Sequence, residues 1–222
     1  MIVKHLGHLP YLQAQKAMQE FVDSVTRETE SEVWFVEHPK VYTQGINCDL
    51  AALNATDIPI VKSDRGGQIT YHGPGQVVMY VLLNIKQYGL NVKQLVFLLE
   101  QIMINVLLDY GIHANRKEGA PGVYVKGAKI GALGLRFRKG FSYHGLSLNV
   151  DMDLKPFENI DPCGYQGLQV TQIKDERILP QDNEIGTAIT NISINAVQQG
   201  LITHFESQLA LEMGKEKAKN VD

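Results

Sequence analysis

The sequence predicts an α+β fold in which helices pack on a mostly antiparallel or mixed sheet. Three predicted strands in the middle of the chain follow one another with only short turns between them, as in an antiparallel meander. The predicted helices separate groups of strands instead of alternating with single strands, which disfavours a doubly wound parallel sheet. With 222 residues, 44% hydrophobic and 20% charged, the chain can bury one large core. We therefore expect a single domain over residues 1–222.

The first half of the chain is predicted to form two helices and several strands. Apolar residues recur every three or four positions from residue 10 to about 29, which is typical of an amphipathic helix with Pro10 in its first turn. The apolar run 77–85 predicts a fully buried strand. A second helix is predicted over 93–110, with Gly111 as its C-cap. Short strands are predicted at 33–36, 41–43 and 58–61.

The second half is predicted to form the meander and a last helix. Its strands cover 122–125, 128–137 and 142–150, with turns at 126–127 and 138–140. Ser193 is the predicted N-cap of a helix that runs to about Met213. We expect residues 215–222 to form a frayed tail.

A glycine-rich block at residues 65–76, RGGQITYHGPGQ, leads directly into the buried strand. Four glycines and a proline in twelve positions are unusual for a plain strand or helix. Glycine adopts positive φ and lets a ligand approach the backbone closely. A glycine-dense loop anchored to a buried strand therefore predicts a binding surface.

The chain has only two cysteines, Cys48 and Cys163, and their spacing indicates neither a metal cluster nor a disulfide framework. Cys163 lies in Asp-Pro-Cys-Gly, a turn-like sequence that is expected to present the thiol. Cys48 has polar neighbours and no base nearby, so we interpret it as a bystander. The glycine block and Cys163 together indicate acyl chemistry on a thiol, without a metal.

Lys129 is the second unusual residue. On a regular strand its side chain would share one face with Gly131, Leu133 and Leu135. Burial among such residues disfavours an ammonium unless an anion lies nearby, and a thiolate would be such an anion. A lysine that reaches water at the end of the strand is the alternative.

Charge and hydropathy restrict partners and location. The net charge of −3 argues against nucleic acid as the main partner. Seven basic residues and one acidic residue lie between Arg116 and Lys139, either as a solvated hairpin face or as a landing patch for an acidic protein. The N-terminus lacks the apolar stretch of a signal peptide, and the run 77–83 is too short to cross a bilayer. We expect a cytoplasmic protein that does not contact a membrane.

Five segments in order match one family. They are EHPKVYTQG at 37–45, RGGQITYHGPGQ at 65–76, KIGALG at 129–134, HGLSLNV at 144–150 and PCG at 162–164. The chain resembles the lipoyl(octanoyl) transferases, which move an octanoyl group from acyl carrier protein to a lysine of a lipoyl domain. The resemblance spans residues 37–164. Gly131 and Ser147 stand where the family commonly has alanine, which could alter the fit of the pocket.

The resemblance implies a fold similar to the catalytic domain of biotin and lipoate protein ligases, with a smaller C-terminal part over about 180–222. It implies that Cys163 carries the acyl thioester, that Lys129 activates it, and that no cofactor is needed. The implied donor is octanoyl-acyl carrier protein. The implied acceptors are lipoyl domains of 2-oxoacid dehydrogenase E2 subunits and the glycine cleavage H protein. The residues expected to bind the acyl group are Arg65, Gly66, Gly67, Gln68, Ile69, Thr70, Tyr71, His72, Ala132, Leu133, Gly134, Gly145, Leu146 and Ser147.

Two other functions remain open at this point. An ATP-dependent lipoate or biotin ligase would share the fold without needing a cysteine nucleophile, and a non-catalytic acyl-binding module would need only the pocket. Backbone N–H groups at 132–134 or at Gly145 are candidate oxyanion donors. His72 and His144 either donate hydrogen bonds near the reacting centre or make structural ones.

Overall fold

The chain forms a seven-stranded sheet, a three-stranded sheet and helices that pack on them. The computed structural model describes residues 1–48, 56–160, 167–177 and 192–219. The first elements are β1 (Ile2–His8), α1 (Tyr11–Ser24), β2 (Glu32–Glu37), β3 (Val41–Gln44), β4 (Ile60–Lys62), β5 (Ile69–His72) and β6 (Gln76–Leu82). They are followed by α2 (Val92–Asp109), β7 (Asn115–Arg116), β8 (Val123–Val125), β9 (Ala128–Arg138), β10 (Phe141–Asn149), α3 (Ile173–Glu176) and α4 (Ile194–Lys219). Short 3-10 helices cover Ile85–Tyr88 and Lys155–Asn159.

The large sheet has the strand order β1-β2-β6-β10-β9-β8-β7, and the small sheet has the order β4-β3-β5. The pairs β1–β2 and β3–β4 are parallel, and the other strand pairs are antiparallel. The predicted α+β fold with a mostly antiparallel, mixed sheet is confirmed. The meander β8–β9–β10 lies in one half of the large sheet, and β10, the middle strand, pairs with β6.

Both faces of the central strand β6 are covered. Val77 and Met79 belong to the main core, which the sheet forms with α2 and α4. Val78 and Tyr80 point to the opposite face, where α1 packs. A strand that is buried on both sides is apolar at nearly every position, and this explains the uninterrupted run in the sequence.

The glycine block is not a continuous loop, and this part of the prediction was wrong. Its middle forms β5, which pairs antiparallel with β3. Tyr71 on β5 packs against Tyr42 on β3 and Phe157, with ring centroids 5.5 and 5.4 Å apart. This small aromatic core anchors β5, and with it the parts of the glycine block that precede and follow the strand.

The chain termini differ from the prediction. The strand β1 was not predicted, and it pairs parallel with β2 at the edge of the large sheet. The helix α4 extends to Lys219, so the expected frayed tail is helical at its start. Ser193 accepts a hydrogen bond from the Ala196 N–H at 3.2 Å, as expected of an N-cap. The smaller C-terminal part begins within residues 178–191, outside the described residues, and stays a prediction.

Within the described ranges, none of the helices combines the length and the apolar content that crossing a bilayer requires.

Candidate active site

A cleft lies on the α1 side of the large sheet, where the small sheet and the glycine block cover β9 and β10. The space between its lining atoms is about 490 Å³ when the part that is open to solvent is included. Small residues on neighbouring strands form its floor, because Gly134 faces Gly145 and Ala132 faces Ser147 across the β9–β10 pair. The apolar side chain of Val78 and the ring of Tyr80 continue the floor onto β6. Small side chains leave room for an extended chain between the sheet and its cover.

Most of the residues predicted from the sequence meet at this cleft. Those that line it are Arg65, Gly67, Gln68, Ile69, Thr70, His72, Ala132, Leu133, Gly134, Gly145, Leu146 and Ser147. Leu133 and Leu146 pack their side chains into the main core, so they contribute backbone to the cleft. Whether these residues bind an acyl chain stays a prediction.

Gly66 and Tyr71 do not line the cleft. Gly66 instead donates its N–H to the Leu135 carbonyl at 3.0 Å, which fastens the glycine block to the edge of β9. Tyr71 is 1% exposed and belongs to the aromatic core on the other side of β5. Alternation along β5 explains this, since neighbouring side chains point to opposite faces.

Arg65 fixes the glycine block to the small sheet. Its side chain is buried, and it donates to the Thr43 carbonyl at 2.5 Å and to the Thr43 hydroxyl at 2.8 and 3.1 Å. A Cβ atom on Gly45 would lie 2.2 Å from the Gly67 carbonyl oxygen, so only glycine fits there. The roof of the cleft is therefore held by backbone contacts and by a buried guanidinium.

Asp64 joins the same roof to β10, and sequence reasoning missed it. It accepts hydrogen bonds from His144 Nε2 at 2.8 Å and from the Tyr143 hydroxyl at 2.6 Å. Burial alone would raise the pKa of Asp64, but these hydrogen bonds outweigh it and hold that pKa well below its usual range. Burial lowers the pKa of His144, so the ring is neutral and donates from Nε2. The sequence offered one signal for Asp64, namely its position directly before the glycine block.

His144 has a backbone φ of +58°, which is rare for a residue with a side chain. Such a conformation is kept only where the surroundings enforce it. The hydrogen bonds of its Nε2 to Asp64 and of its backbone N–H to Met18 Sδ both fix this histidine, and a role near the reacting centre stays a prediction.

His72 belongs to a polar row at the base of the cleft. Its Nδ1–H donates to Gln76 Oε1 at 2.7 Å. Burial, reinforced by His38, lowers the pKa of His72 to about 3, so the ring is neutral. Gln76 in turn donates to Asn149 Oδ1 at 2.9 Å, and Asn149 donates to the Thr171 carbonyl at 3.0 Å. Gln76 and Asn149 lie inside the motifs noted in the sequence but were not predicted as site residues.

This polar row leads to a second cavity of about 310 Å³, which contains Lys129. The two cavities share Thr70, Ala132 and Ser147 as lining residues, so they lie side by side along β9 and β10. Lys129 is 4% exposed, and its Nζ donates to the Pro121 carbonyl at 3.0 Å. The pocket with the floor of small residues therefore lies next to the buried amine of Lys129.

The predicted orientation of Lys129 was wrong, because a β-bulge interrupts β9. Lys129 lies opposite Tyr124 on β8, whereas Gly131 lies opposite Val123, so β9 has one extra residue. That residue, Ile130, is in the main core. A Cβ atom on Gly131 would lie 2.6 Å from Met103 Sδ on α2, so this position also faces the core. The bulge thus turns Lys129 away from Gly131 and Leu133 and into the cleft.

Cys163 lies outside the described residues, and its pairing with Lys129 stays a prediction. The described residues on either side of it border the same cavity. Phe157 and Val170 both line it together with Lys129. The Lys129 backbone N–H donates to the Gln169 carbonyl at 2.8 Å, and the Thr171 N–H donates to the Lys129 carbonyl at 2.9 Å. The described residues on both sides of 161–166 therefore belong to the wall around Lys129.

Cys48 is far less suited to this chemistry. It is half-buried, and its side chain packs against the aromatic core around Tyr42. Among the described residues, no three histidine, cysteine, aspartate or glutamate side chains are grouped as a metal site requires.

Structural comparisons show the class of fold to which this chain belongs. The bipartite lipoate protein ligase of an archaeal lipoylation system, from Thermoplasma acidophilum, has a TM-score of 0.69 at 16% identity, over 94% of this chain and 83% of that one. A biotin protein ligase from Aquifex aeolicus has a TM-score of 0.56 at 15% identity, over 97% of this chain and 72% of that one. The expected fold of biotin and lipoate protein ligases is confirmed.

Sequence comparisons narrow this class to one family. The family model for the lipoyl protein ligase A/B catalytic domain matches residues 10–206. An octanoyltransferase from Dechloromonas aromatica (strain RCB) is 52% identical over 199 residues, which are 89% of this chain and 97% of that protein. This chain belongs to the lipoyl protein ligase A/B catalytic domain family. The predicted resemblance to octanoyl transferases and the predicted acyltransferase class are confirmed.

Proposed function

We propose that this chain transfers an octanoyl group from octanoyl-acyl carrier protein to a lysine of a lipoyl domain, through a thioester on Cys163. The observation that supports this most strongly is that the glycine-lined pocket directly adjoins the cavity that holds the buried amine of Lys129. The octanoyltransferase relatives favour acyl transfer over ATP-dependent ligation. The ligases that share the fold are too distant in sequence to argue for their own reaction here.

The first half-reaction needs a thiolate. A neighbouring ammonium favours the ionised form of a cysteine, so Cys163 and Lys129 rest as an ion pair. The Cys163 sulfur attacks the carbonyl carbon of the donor thioester and forms a new carbon–sulfur bond. The bond to the carrier thiol breaks, and the departing sulfur takes a proton from Lys129. The products are an octanoyl-enzyme and a free carrier thiol.

The second half-reaction uses the neutral Lys129 amine that the first half-reaction leaves. Neutral Lys129 has lost its counter-ion in a buried site, so it accepts a proton from the attacking amine of the acceptor lysine. The new amide bond forms as the Cys163 sulfur departs as a thiolate. The resting ion pair is restored, and one buried lysine serves both steps.

The oxyanion of each tetrahedral intermediate needs hydrogen-bond donors. Among the described residues, β8 pairs with β9 only as far as Gly131, so the β9 edge from Ala132 to Gly134 extends past its neighbour. Gly145 lies on β10, which is flanked by β6 and β9 on both sides. This arrangement favours the N–H groups of Ala132–Gly134 over that of Gly145.

The acyl chain would lie in the pocket beneath the glycine block. Each buried methylene contributes about 0.8 kcal/mol of transfer free energy. The acceptors would be lipoyl domains of 2-oxoacid dehydrogenase E2 subunits and the glycine cleavage H protein. A mechanism that depends on a reduced thiol fits the cytoplasm, where thiols are kept reduced.

The basic segment 116–139 does not support one broad docking patch. Lys126 pairs with Glu176 near the Lys129 cavity, whereas Arg138 pairs with Asp23 at the other end of β9. Eleven residues of β9 span about 34 Å at the usual rise per residue. A carrier that delivers its thioester to Lys129 would meet the Lys126 end.

The direct test is intact mass spectrometry after incubation with octanoyl-acyl carrier protein. The expected result is the gain of one octanoyl group, retained in Cys48→Ala and absent in Cys163→Ala. Free octanoate with ATP should give no such gain. Acylation of Cys163→Ala at the wild-type rate would refute the thioester mechanism, and product formed from octanoate and ATP alone would favour the ligase alternative.

A further inference from the structure

The ammonium of Lys129 is held by a loop that the proposed mechanism does not otherwise use. The loop joins β7 to β8 and presents the Pro121 carbonyl, which accepts a hydrogen bond from Lys129 Nζ at 3.0 Å. The next residue, Gly122, touches the lysine directly, because a Cβ atom at Gly122 would lie 2.6 Å from Lys129 Cε. Its φ of +136° is open to glycine and strained for other residues. A shift of this loop would therefore shift the ammonium.

Glu100 on α2 holds this loop through a hydrogen bond to its backbone. Its Oε1 accepts a hydrogen bond from the Gly122 N–H at 2.9 Å, and the residue is only 7% exposed. Buried carboxylates are costly unless they are paired and hydrogen-bonded. This one has both kinds of partner, since Arg116 Nε donates to Glu100 Oε2 at 3.0 Å.

Arg116 is itself held in place. Its Nη2 donates to the Phe97 carbonyl at 3.0 Å and to Gln101 Oε1 at 2.9 Å. Its guanidinium lies 3.7 Å from the centroid of the Phe97 ring. The planar guanidinium of Arg116 therefore orients the Glu100 carboxylate, and neighbouring residues of one turn of α2 hold that guanidinium in place.

We infer that Glu100 is a positioning residue for Lys129, acting through Gly122 and the Pro121 carbonyl. This inference rests on the proposed role of Lys129 as the partner of the Cys163 thiolate. In this scheme Glu100 acts on the position of Lys129 and takes no part in the bond-making steps. Glu100 helps to fix the position of the Lys129 ammonium, and the Pro121 carbonyl transmits this effect.

The test measures the pH dependence of Cys163 alkylation by iodoacetamide in full-length Cys48→Ala protein, without substrate. Glu100→Ala should move the profile toward that of Lys129→Met and lower the alkylation rate at neutral pH by roughly fivefold, the effect of one lost hydrogen bond. Glu100→Gln retains an oxygen for Gly122, so it should lie closer to wild type. Glu20→Ala removes an exposed pair with Lys16 and serves as the control.

A double-mutant cycle separates positioning from general destabilisation. Glu100→Ala should add nothing to Lys129→Met if it acts only through that lysine. A full additional loss in the double variant, or a wild-type profile in Glu100→Ala, would overturn the inference. If Glu100→Ala does not fold, Arg116→Gln replaces it in the cycle, because that side chain is 28% exposed and the change is milder.

The outcome for Lys129→Met alone distinguishes the proposed role of Lys129 from the inferred role of Glu100. An unchanged alkylation profile in that single variant would refute the role of Lys129, and the role of Glu100 would fall with it. A shifted profile in Lys129→Met with a wild-type profile in Glu100→Ala would leave the proposed function intact and remove Glu100 from it.

Discussion

Acidification from pH 7 to pH 5 should destabilise this fold through His38, a buried histidine beneath the cleft. Its Nδ1–H donates to the Leu9 carbonyl at 2.6 Å, and its Nε2 accepts from the Tyr80 hydroxyl at 2.6 Å. The neutral ring satisfies both partners, and a second ring proton would oppose the Tyr80 donor. Burial lowers the pKa of His38 to about 4, from an ordinary value of 6.5.

The sign and size follow from proton linkage. Between pH 6.5 and 4 the unfolded chain binds a proton at His38 that the folded chain does not, so stability falls as the pH falls. At pH 5 the loss is about 2 kcal/mol, because the pH is 1.5 units below the unfolded pKa and each unit is worth about 1.4 kcal/mol. His72, whose pKa burial lowers to about 3, adds a loss of stability in the same pH window, so the His38 share is the difference between wild type and a His38 variant. Asp64, whose pKa is lowered, contributes only in a more acidic window below its ordinary value of 3.8.

Urea unfolding at pH 7 and pH 5 measures this directly. His38→Gln should be less stable at pH 7, and its loss of unfolding free energy between the two pH values should be about 2 kcal/mol smaller than in wild type. His113→Gln, at an exposed position, is the matched control and should keep the wild-type difference. An equal pH dependence in wild type and His38→Gln would refute the assignment of a neutral buried ring.

Two further predictions concern the site and its approach. Asn149→Asp should slow octanoyl-enzyme formation without changing the KM for the carrier. A carboxylate cannot donate to the Thr171 carbonyl, and leaving that buried carbonyl without its donor costs about 1–3 kcal/mol. A wild-type rate measured by intact mass would contradict this. Lys126→Glu should raise the KM for the carrier and weaken its salt dependence, while Arg138→Glu at the far end of β9 should not. Equal effects of the two charge reversals would place docking elsewhere.

The sequence allowed the centre of the fold to be predicted because its signals are local. The run 77–85 marked the buried strand, and the turn at 126–127 marked the hairpin between β8 and β9. The edge strand β1 carries no such signal, since most of its residues are exposed and its parallel pairing with β2 depends on distant residues. Parallel pairing has no hairpin turn to reveal it.

The site was predictable in its residues and less so in its geometry. Motifs identified most of the lining of the cleft, but strict alternation placed Lys129 on the wrong face because no sequence pattern marks the bulge at Ile130. The polar supports Asp64 and Glu100 act through tertiary contacts with residues far along the chain. Such contacts depend on the packed structure, so a single sequence does not reveal them.

The adjoining cavities along β9 and β10 would make the cleft a molecular ruler in the proposed reaction. In that reaction the carbonyl end of the substrate would lie beside Lys129, so chain length would be read farther along these strands, near Arg65 and His144. Residues that never meet the reacting atoms would then set which acyl groups are accepted. Tolerance for longer or shorter chains could therefore change through substitutions at that distant end while the bond-making steps stay the same.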